Sequence, residues 1–226
     1  MPAIFIGGLM SDLSGLMQHE VHLAALSFMG AAYILRIVWL LQFKKIEEMS
    51  LSAGTGNGAV LQSLLAVTKP WTIEGVRKNP AFYLQFVIFH LGAAAAIGLT
   101  FLIPYRPELL KDALFVQSLR MVLGAAFIVG LFRLYRRIAD RALRLISTPD
   151  DYFALVMMTL FYALGISAVS GNPEILSGQA VLTFFILAAF FHIYVPFSKI
   201  IHYLYYPFTR YYLGKMMEHR NIGRKG

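Results

Sequence analysis

Five stretches of about 20 mostly apolar residues constrain the fold more than any other feature of the sequence. We place them at about 20–43, 81–103, 113–135, 152–169 and 179–206. A helix needs roughly 20 apolar residues to cross the hydrocarbon core of a bilayer. Because backbone polar groups in lipid must be paired within the protein, only helices and closed barrels span membranes. The sequence therefore predicts an all-α, integral membrane five-helix bundle, with residues 1–226 forming a single domain.

Composition agrees with a membrane protein and excludes several functions. Only 14% of the residues are charged and 58% are hydrophobic, whereas a soluble domain carries about 25% charged residues. The chain has no cysteine, which excludes disulfides, thiolate iron–sulfur clusters and cysteine zinc sites within it. The net charge of +8 sits beside the spans, so we expect no nucleic-acid binding. No nucleophile triad, phosphate-binding glycine loop or metalloprotease spacing occurs.

The positions of the basic residues predict the orientation in the membrane. Three regions are rich in bases: Lys44, Lys45, Lys69, Arg77 and Lys78 after the first span; Arg133, Arg136, Arg137, Arg141 and Arg144 around the end of the third; and Arg210, Lys215, Arg220, Arg224 and Lys225 in the tail. The opposite loops carry only Arg106 and Lys111. Cytoplasmic loops carry an excess of Lys and Arg. We therefore expect an outside N-terminus, a cytoplasmic C-terminus and a location in the cell (inner) membrane.

Two histidines lie within apolar sequence and are candidates for binding a cofactor. His90 lies in FVIFHLGAAAAIG, inside the second span, and His202 lies in the last span, entering from the same cytoplasmic side. Two imidazoles at similar depth on separate helices have the arrangement of a bis-histidine haem b. A merely hydrogen-bonded pair is the alternative. The small residues after His90 either pack against another helix or leave room for a flat macrocycle.

Two segments resemble a known family. VPFSKIIHYLYYP, at 195–207, resembles the last transmembrane helix of the gamma subunit of respiratory nitrate reductase, where Pro-Phe-Ser-basic precedes an apolar pair and a haem-ligating histidine. IFHLG, at 88–92, resembles the segment that carries the other ligand of the cytoplasm-side haem. The wider group includes membrane cytochromes of the sulfite-reductase-associated complex and of heterodisulfide reductase. The resemblance implies that His90 and His202 are the axial ligands of a haem b.

The sequence departs from the two-haem members of that group. The outer haem of those proteins uses a second histidine on the second span and another early in the fifth. Here these positions read Thr100 and about Phe184, and neither side chain ligates haem iron. The resemblance therefore implies one haem.

His192, ten residues before His202, leaves several alternatives open. It would ligate a displaced second haem, line a quinone pocket, bond to a helix carbonyl, or replace His202 as the partner of His90. His22 is the nearest partner for a second haem, but we expect it close to the outer surface, at the wrong depth. The cluster of His19, Glu20 and His22 is predicted to be a solvated helix start or a proton site beside a quinone.

Basic side chains supply the remaining candidate contacts. Arg120, about two turns into the third span, either snorkels outward or bonds to a haem propionate or a quinone carbonyl. Lys199, Arg133 and Arg136 fit the propionates of a cytoplasm-side haem better, because charge-assisted bonds to carboxylates are strong.

Together, the two buried histidines and this resemblance imply a haem b-containing membrane anchor of a respiratory complex. It would transfer electrons between menaquinone or a similar quinone and a cytoplasmic iron–sulfur partner subunit. Two alternatives are a haem-free membrane anchor and a small proton-coupled transporter that uses His90 and His192 as relay groups.

Overall fold

A computed structural model describes residues 11–42, 58–69, 74–169 and 178–220, and these ranges contain helices and short connections but no strand. The basic residues Lys44, Lys45, Arg224 and Lys225, which contributed to the predicted orientation, lie outside them. The helices are α1 (Ser11–Gln42), α2 (Ala59–Leu64), α3 (Glu74–Lys78), α4 (Pro80–Tyr105), α5 (Ala113–Ala139), α6 (Arg141–Ile146), α7 (Pro149–Ala168), α8 (Gln179–Tyr194) and α9 (His202–His219).

Five helices are long and apolar enough to cross a membrane, as the sequence predicts. They are α1, α4, α5, α7 and α8, the last extended to Phe197 by a 3₁₀ turn. The all-α fold with five candidate spans is therefore confirmed. The helix of the first predicted span begins by Ser11 rather than near Glu20. A five-residue π-helical turn, Met17–Val21, lies within it, and the polar residues of that turn obscured the apolar pattern.

The fifth span also differs from its prediction of one helix to residue 206. A 3₁₀ turn covers Val195–Phe197, Ser198 is extended, and a second 3₁₀ turn covers Lys199–Ile201 before α9 begins at His202. Pro196 has no backbone N–H and removes one hydrogen bond of an α-helix, which favours a break at this point. His202 consequently lies at the start of a separate helix rather than inside the last span.

Side chains cap two of the helix starts. The side chain of Asn79 accepts a hydrogen bond from the backbone N–H of Phe82, at 3.2 Å, just before α4. Thr148 and Asp151 form a reciprocal capping box at the start of α7. Such caps satisfy amide groups that the first helical turn leaves unpaired.

The chain divides into two compact units. The first comprises residues 1–32 and 85–199, and the second comprises residues 33–84 and 200–226. The prediction of a single domain stays a prediction.

The core of the first unit is built from large side chains packed beside glycines. Leu99, Leu123, Tyr162 and Phe184 are fully buried in it. A Cβ atom at Gly165 would lie 3.3 Å from Leu123 and 3.6 Å from Leu99 and Phe184. Small residues let membrane helices approach closely, and here they let α4, α5, α7 and α8 pack around one core.

In the second unit, α9 packs against α2. Gly214 lies so close to the backbone of Val60 that a Cβ atom would overlap it. The carboxylate of Glu218 accepts hydrogen bonds from the amides of Gly58 and Val60, at 3.3 and 3.4 Å. Desolvation raises the pKa of Glu218, but Lys215 and these two amides outweigh it and leave the pKa lowered. Glu218 thus supplies the cap that α2 lacks in its own sequence.

Candidate functional site

His90 lies on α4 with its imidazole exposed on the surface of the first unit. Its Nδ1 bonds to the carbonyl oxygen of Phe86, one turn earlier, at 2.7 Å. The ring also lies 4.1 Å from the ring of Phe86, centre to centre. Because Nδ1 must donate to this carbonyl, the lone pair is on Nε2. Metal-binding histidines commonly have this arrangement, with the second ring nitrogen fixed by a backbone carbonyl.

The small residues after His90 divide into packed and open positions. Gly92 and Ala96 are buried, and a Cβ atom at Gly92 would overlap that of Ala126 on α5. Gly98 has nothing within 4 Å of its Cβ position. Helix packing therefore accounts for one face of α4, while His90 lies on another.

Arg133 is placed beside the turn that carries His90. Its guanidinium carbon lies 5.2 Å from the ring centre of Phe89, within the range of a cation–π contact. The buried hydroxyl of Tyr162 donates to the carbonyl of Phe89 at 2.9 Å. Of the predicted propionate contacts, Arg133 is the one that lies over the ring of Phe89, the residue before His90. Arg136 lies on the same helix and is half-buried.

The structure brings His22 and His192 into direct contact. Their ring centres are 5.0 Å apart and their planes are at 80°. The expectation that His22 lies near the outer surface stays a prediction; along its helix, His22 lies eleven residues after Ser11. At 1.5 Å per residue this is about 16 Å from the helix start. The sequence named both residues, but not their contact.

Aromatic side chains enclose this pair, which we call the His22–His192 pair. His22 is 1% exposed and its ring lies 5.5 Å from Phe101 and 5.6 Å from Phe185. Neither nitrogen of His22 has a hydrogen-bond partner among the described residues. The Nδ1 of His192 bonds to the carbonyl oxygen of Ala188 at 2.6 Å.

These two imidazoles lie closer together than the two axial ligands of one haem iron would. With metal–nitrogen bonds of about 2 Å on either side, the ring centres would be roughly 6 Å apart, but they are 5.0 Å apart. The rings of Phe101 and Phe185 also lie beside that of His22.

The positions where the two-haem members of the resembled family carry the outer ligands are filled by packed side chains. Thr100 is buried and donates to the carbonyl of Ile97 at 2.7 Å. Phe184 is fully buried and stacks on Phe161, with ring centres 5.0 Å apart. Both side chains act as core residues of the first unit.

Arg120 donates a 2.6 Å hydrogen bond to the carbonyl oxygen of Val169. Val169 is the C-terminal cap of α7, where the carbonyl groups of a helix lack partners and favour a cation. This contact gives Arg120 a structural role. Its predicted role toward a quinone stays a prediction.

Lys199 binds the start of α7. Its ammonium donates to the hydroxyl of Thr148 at 2.8 Å and to the carboxylate of Asp151 at 2.9 and 3.0 Å. Arg137 also lies 3.8 Å from Asp151. Lys199 therefore links the non-helical segment after α8 to the capping box of α7. The sequence analysis did not predict this role for Lys199.

His202, in the second unit, is exposed and its ring centre lies 6.3 Å from that of Tyr203. The hydroxyl of Tyr203 bonds to that of Tyr33, and Arg36 donates to the hydroxyl of Tyr205 at 3.0 Å. The sequence analysis missed Arg36, although an arginine within LRIVWLL is a detectable intramembrane charge.

Within the described ranges, no group of three or more His, Cys, Asp or Glu side chains is placed to hold a metal ion. Comparison of the chain with protein-family models, curated proteins and solved structures found no match.

Proposed function

We propose that the chain is a haem b-containing membrane anchor subunit of a respiratory complex. It transfers electrons between menaquinone or a similar quinone and a cytoplasmic iron–sulfur partner subunit, and its axial ligands are His90 and His202. The resemblance of residues 88–92 and 195–207 to the gamma subunit of nitrate reductase supports this proposal, as do the five apolar helices.

The observation that carries the proposal is the exposure and the hydrogen bonding of the His90 imidazole. An ionisable group in a membrane span is costly and is usually functional. The ring of His90 is exposed on its unit, and its Nδ1 is fixed by the carbonyl of Phe86. This leaves the Nε2 lone pair directed away from that carbonyl, which is what a metal ligand requires.

A haem suits the donor set that the chain offers. His90 and His202 would supply neutral nitrogen ligands, and Arg133 would supply a cation over the ring of Phe89, the residue before His90. When bound, the haem supplies reversible one-electron chemistry, whose potential depends on its ligands and surroundings. The residues of the chain hold and orient it, and the packing around Phe184 and Tyr162 excludes water from the interior of the first unit.

The test is a reduced-minus-oxidised absorbance spectrum of the purified full-length chain, with a haem assay. We expect a haem b α band and about one haem per chain. A chain that has no band after expression with a haem supply would support a haem-free anchor or a transporter and overturn the proposal.

Orientation is the second part of the proposal. A cytoplasmic C-terminus would place the basic tail on the side of the iron–sulfur partner. A reporter that is active only outside the cell, fused after Gly226, should be silent. Activity there would contradict both the orientation and the docking side.

A further inference from the structure

The segment that joins α5 to α7 carries positive charge that its own carboxylates do not neutralise. Residues 133–151 include five arginines and three aspartates. Each aspartate already has partners within the protein: Asp140 accepts from the amides of Ala142 and Leu143, Asp150 from the hydroxyl of Tyr194, and Asp151 from Lys199. Among the described residues, none of the salt bridges includes Arg136, Arg141 or Arg144.

The length of α7 indicates where the short helix α6 lies relative to the membrane. With 20 residues, α7 is about 30 Å long, which equals the thickness of the hydrocarbon core. Because α7 is just long enough to cross, its first residue, Pro149, lies at the boundary of that core. The last residue of α6, Ile146, comes three residues earlier, and three residues extend at most about 11 Å. The end of α6 is therefore at the level of the lipid headgroups.

The side chains of α6 combine bases with uncovered aliphatic groups. Leu145 and Ile146 are 80% and 76% exposed. Arg141 and Arg144 are also exposed, and residues three or four apart lie on the same side of a helix, so Leu145 and Arg144 neighbour Arg141. At a membrane surface, aliphatic side chains enter the acyl boundary while basic groups stay with the headgroups. The pattern favours contact with lipid over contact with water alone.

Hydrogen bonds hold α6 against the ends of its two neighbours. The guanidinium of Arg137, in the last turn of α5, donates to the hydroxyl of Ser147 at 2.7 Å. The hydroxyl of Tyr152, on α7, donates to the carbonyl of Arg137 at 3.2 Å. The carboxylate of Asp140 caps the start of α6. Because the backbone is fixed before a ligand arrives, binding there costs less conformational entropy.

We propose that Arg141, Arg144, Leu145 and Ile146 form a binding site for an anionic phospholipid. The two guanidiniums bind the phosphate of the headgroup, since arginine forms paired, charge-assisted hydrogen bonds with phosphate. The two aliphatic side chains contact the first carbons of the acyl chains. Clusters of Lys and Arg next to a membrane span attract anionic lipids.

A lipid fits this surface better than an acidic segment of another protein. Both would neutralise the arginines, but a lipid also covers Leu145 and Ile146 at the depth where its acyl chains begin. The site lies within the first unit, and its side chains are open to the surrounding membrane. It does not depend on the proposed haem.

The test is native mass spectrometry of the full-length chain, released from nanodiscs that contain equal amounts of phosphatidylglycerol and phosphatidylcholine. We expect the wild-type chain to retain phosphatidylglycerol in preference. In Arg141→Gln/Arg144→Gln the preference should fall about fivefold for each arginine removed, which corresponds to about 1 kcal/mol per basic residue near an anionic surface. The matched control is Arg106→Gln/Lys111→Gln, which removes two bases between α4 and α5 and should keep the preference.

Two further measurements separate this site from charge alone and from a site for free phosphate. Arg141→Lys/Arg144→Lys keeps both charges and should retain most of the preference, which excludes a change in fold as the cause of the loss in the glutamine variant. Glycerol 3-phosphate has the same phosphate but no acyl chains, and it should not displace the lipid.

Four outcomes would overturn the proposal. They are equal retention of both lipids by the wild-type chain, an unchanged preference in the glutamine variant, an equal loss in the control, and displacement of the lipid by glycerol 3-phosphate. A loss in the lysine variant as large as that in the glutamine variant would also contradict it. None of these measurements uses the haem, so their outcome is independent of the proposed function.

Discussion

His90 and His192 have the same local structure and opposite surroundings. In each, Nδ1 bonds to the carbonyl oxygen four residues earlier, at 2.7 and 2.6 Å. His90 is exposed on its unit, whereas His192 is 9% exposed and contacts the buried ring of His22. The helix therefore prepares both imidazoles in the same way, and the surroundings decide what each can bind. An exposed ring can accept a large cofactor, while an enclosed one has room for a proton.

The largest effect expected from this difference is on haem content. His90→Ala should abolish the haem α band, because a low-spin haem b needs two strong axial ligands, and His202→Ala should do the same. His192→Gln should keep the band. The measurement is the reduced-minus-oxidised spectrum of each purified variant, with His219→Ala as the control in the tail.

Retention of a normal band by both His90→Ala and His202→Ala would refute the ligand assignment. Loss of the band in His192→Gln but not in His202→Ala would make His192 the partner of His90, the alternative that the sequence left open.

The next effect concerns the face of α4 that does not carry His90. Gly92→Ala should destabilise the protein by about 1–3 kcal/mol, as overpacking does, because the new methyl group overlaps Ala126. Gly98→Ala is the matched control in the same run of small residues. It has open space and should be neutral or stabilising by up to about 1 kcal/mol. Unfolding in mixed micelles measures both, and equal effects would contradict the division of this helix into a packed and an open face.

A smaller effect tests whether Arg133 is the basic residue that lies near the haem on the side of His90. Arg133→Met should lower the midpoint potential of the haem by about 60 mV, equivalent to a tenfold change in a one-electron equilibrium. Removing a nearby positive charge favours the oxidised iron. Arg144→Met, on the exposed helix α6, is the control and should leave the potential unchanged. A potential unaffected by Arg133→Met would remove Arg133 from the haem environment.

The sequence predicted the parts of the fold that depend on long apolar stretches, and it failed where a few residues change the helix. Composition located the five spans because each extends over many residues. It misplaced the start of α1 because the turn Met17–Val21 is polar and π-helical. It also carried the fifth helix through Pro196, where a 3₁₀ turn follows the α-helix and proline cannot donate a backbone hydrogen bond.

The candidate site was predicted as a list of residues rather than as contacts. His22 and His192 were both named, but their contact depends on the register between α1 and α8, which no single helix encodes. Lys199 was assigned to a propionate because its charge and depth were suitable. Its bonds to Thr148 and Asp151 depend on the position of α7, which the sequence of the fifth span does not contain.

The smallest effect expected is that of Lys199, which follows the helix that carries His192. Lys199→Met should reduce stability by no more than about 1 kcal/mol, because its ion pair is partly exposed, with the lysine side chain 55% accessible. In this variant Asp151 would still accept the hydrogen bond from the backbone N–H of Thr148, at 2.7 Å, and would still lie near Arg137. Lys78→Met is the control: its pair with Glu74 is more exposed, at 73% and 67%, and should contribute almost nothing. Neither variant should change the haem α band or its midpoint potential. A shifted haem midpoint potential in Lys199→Met alone would show that this lysine contacts the haem propionates. The non-helical segment after α8 would then face the cofactor rather than α7.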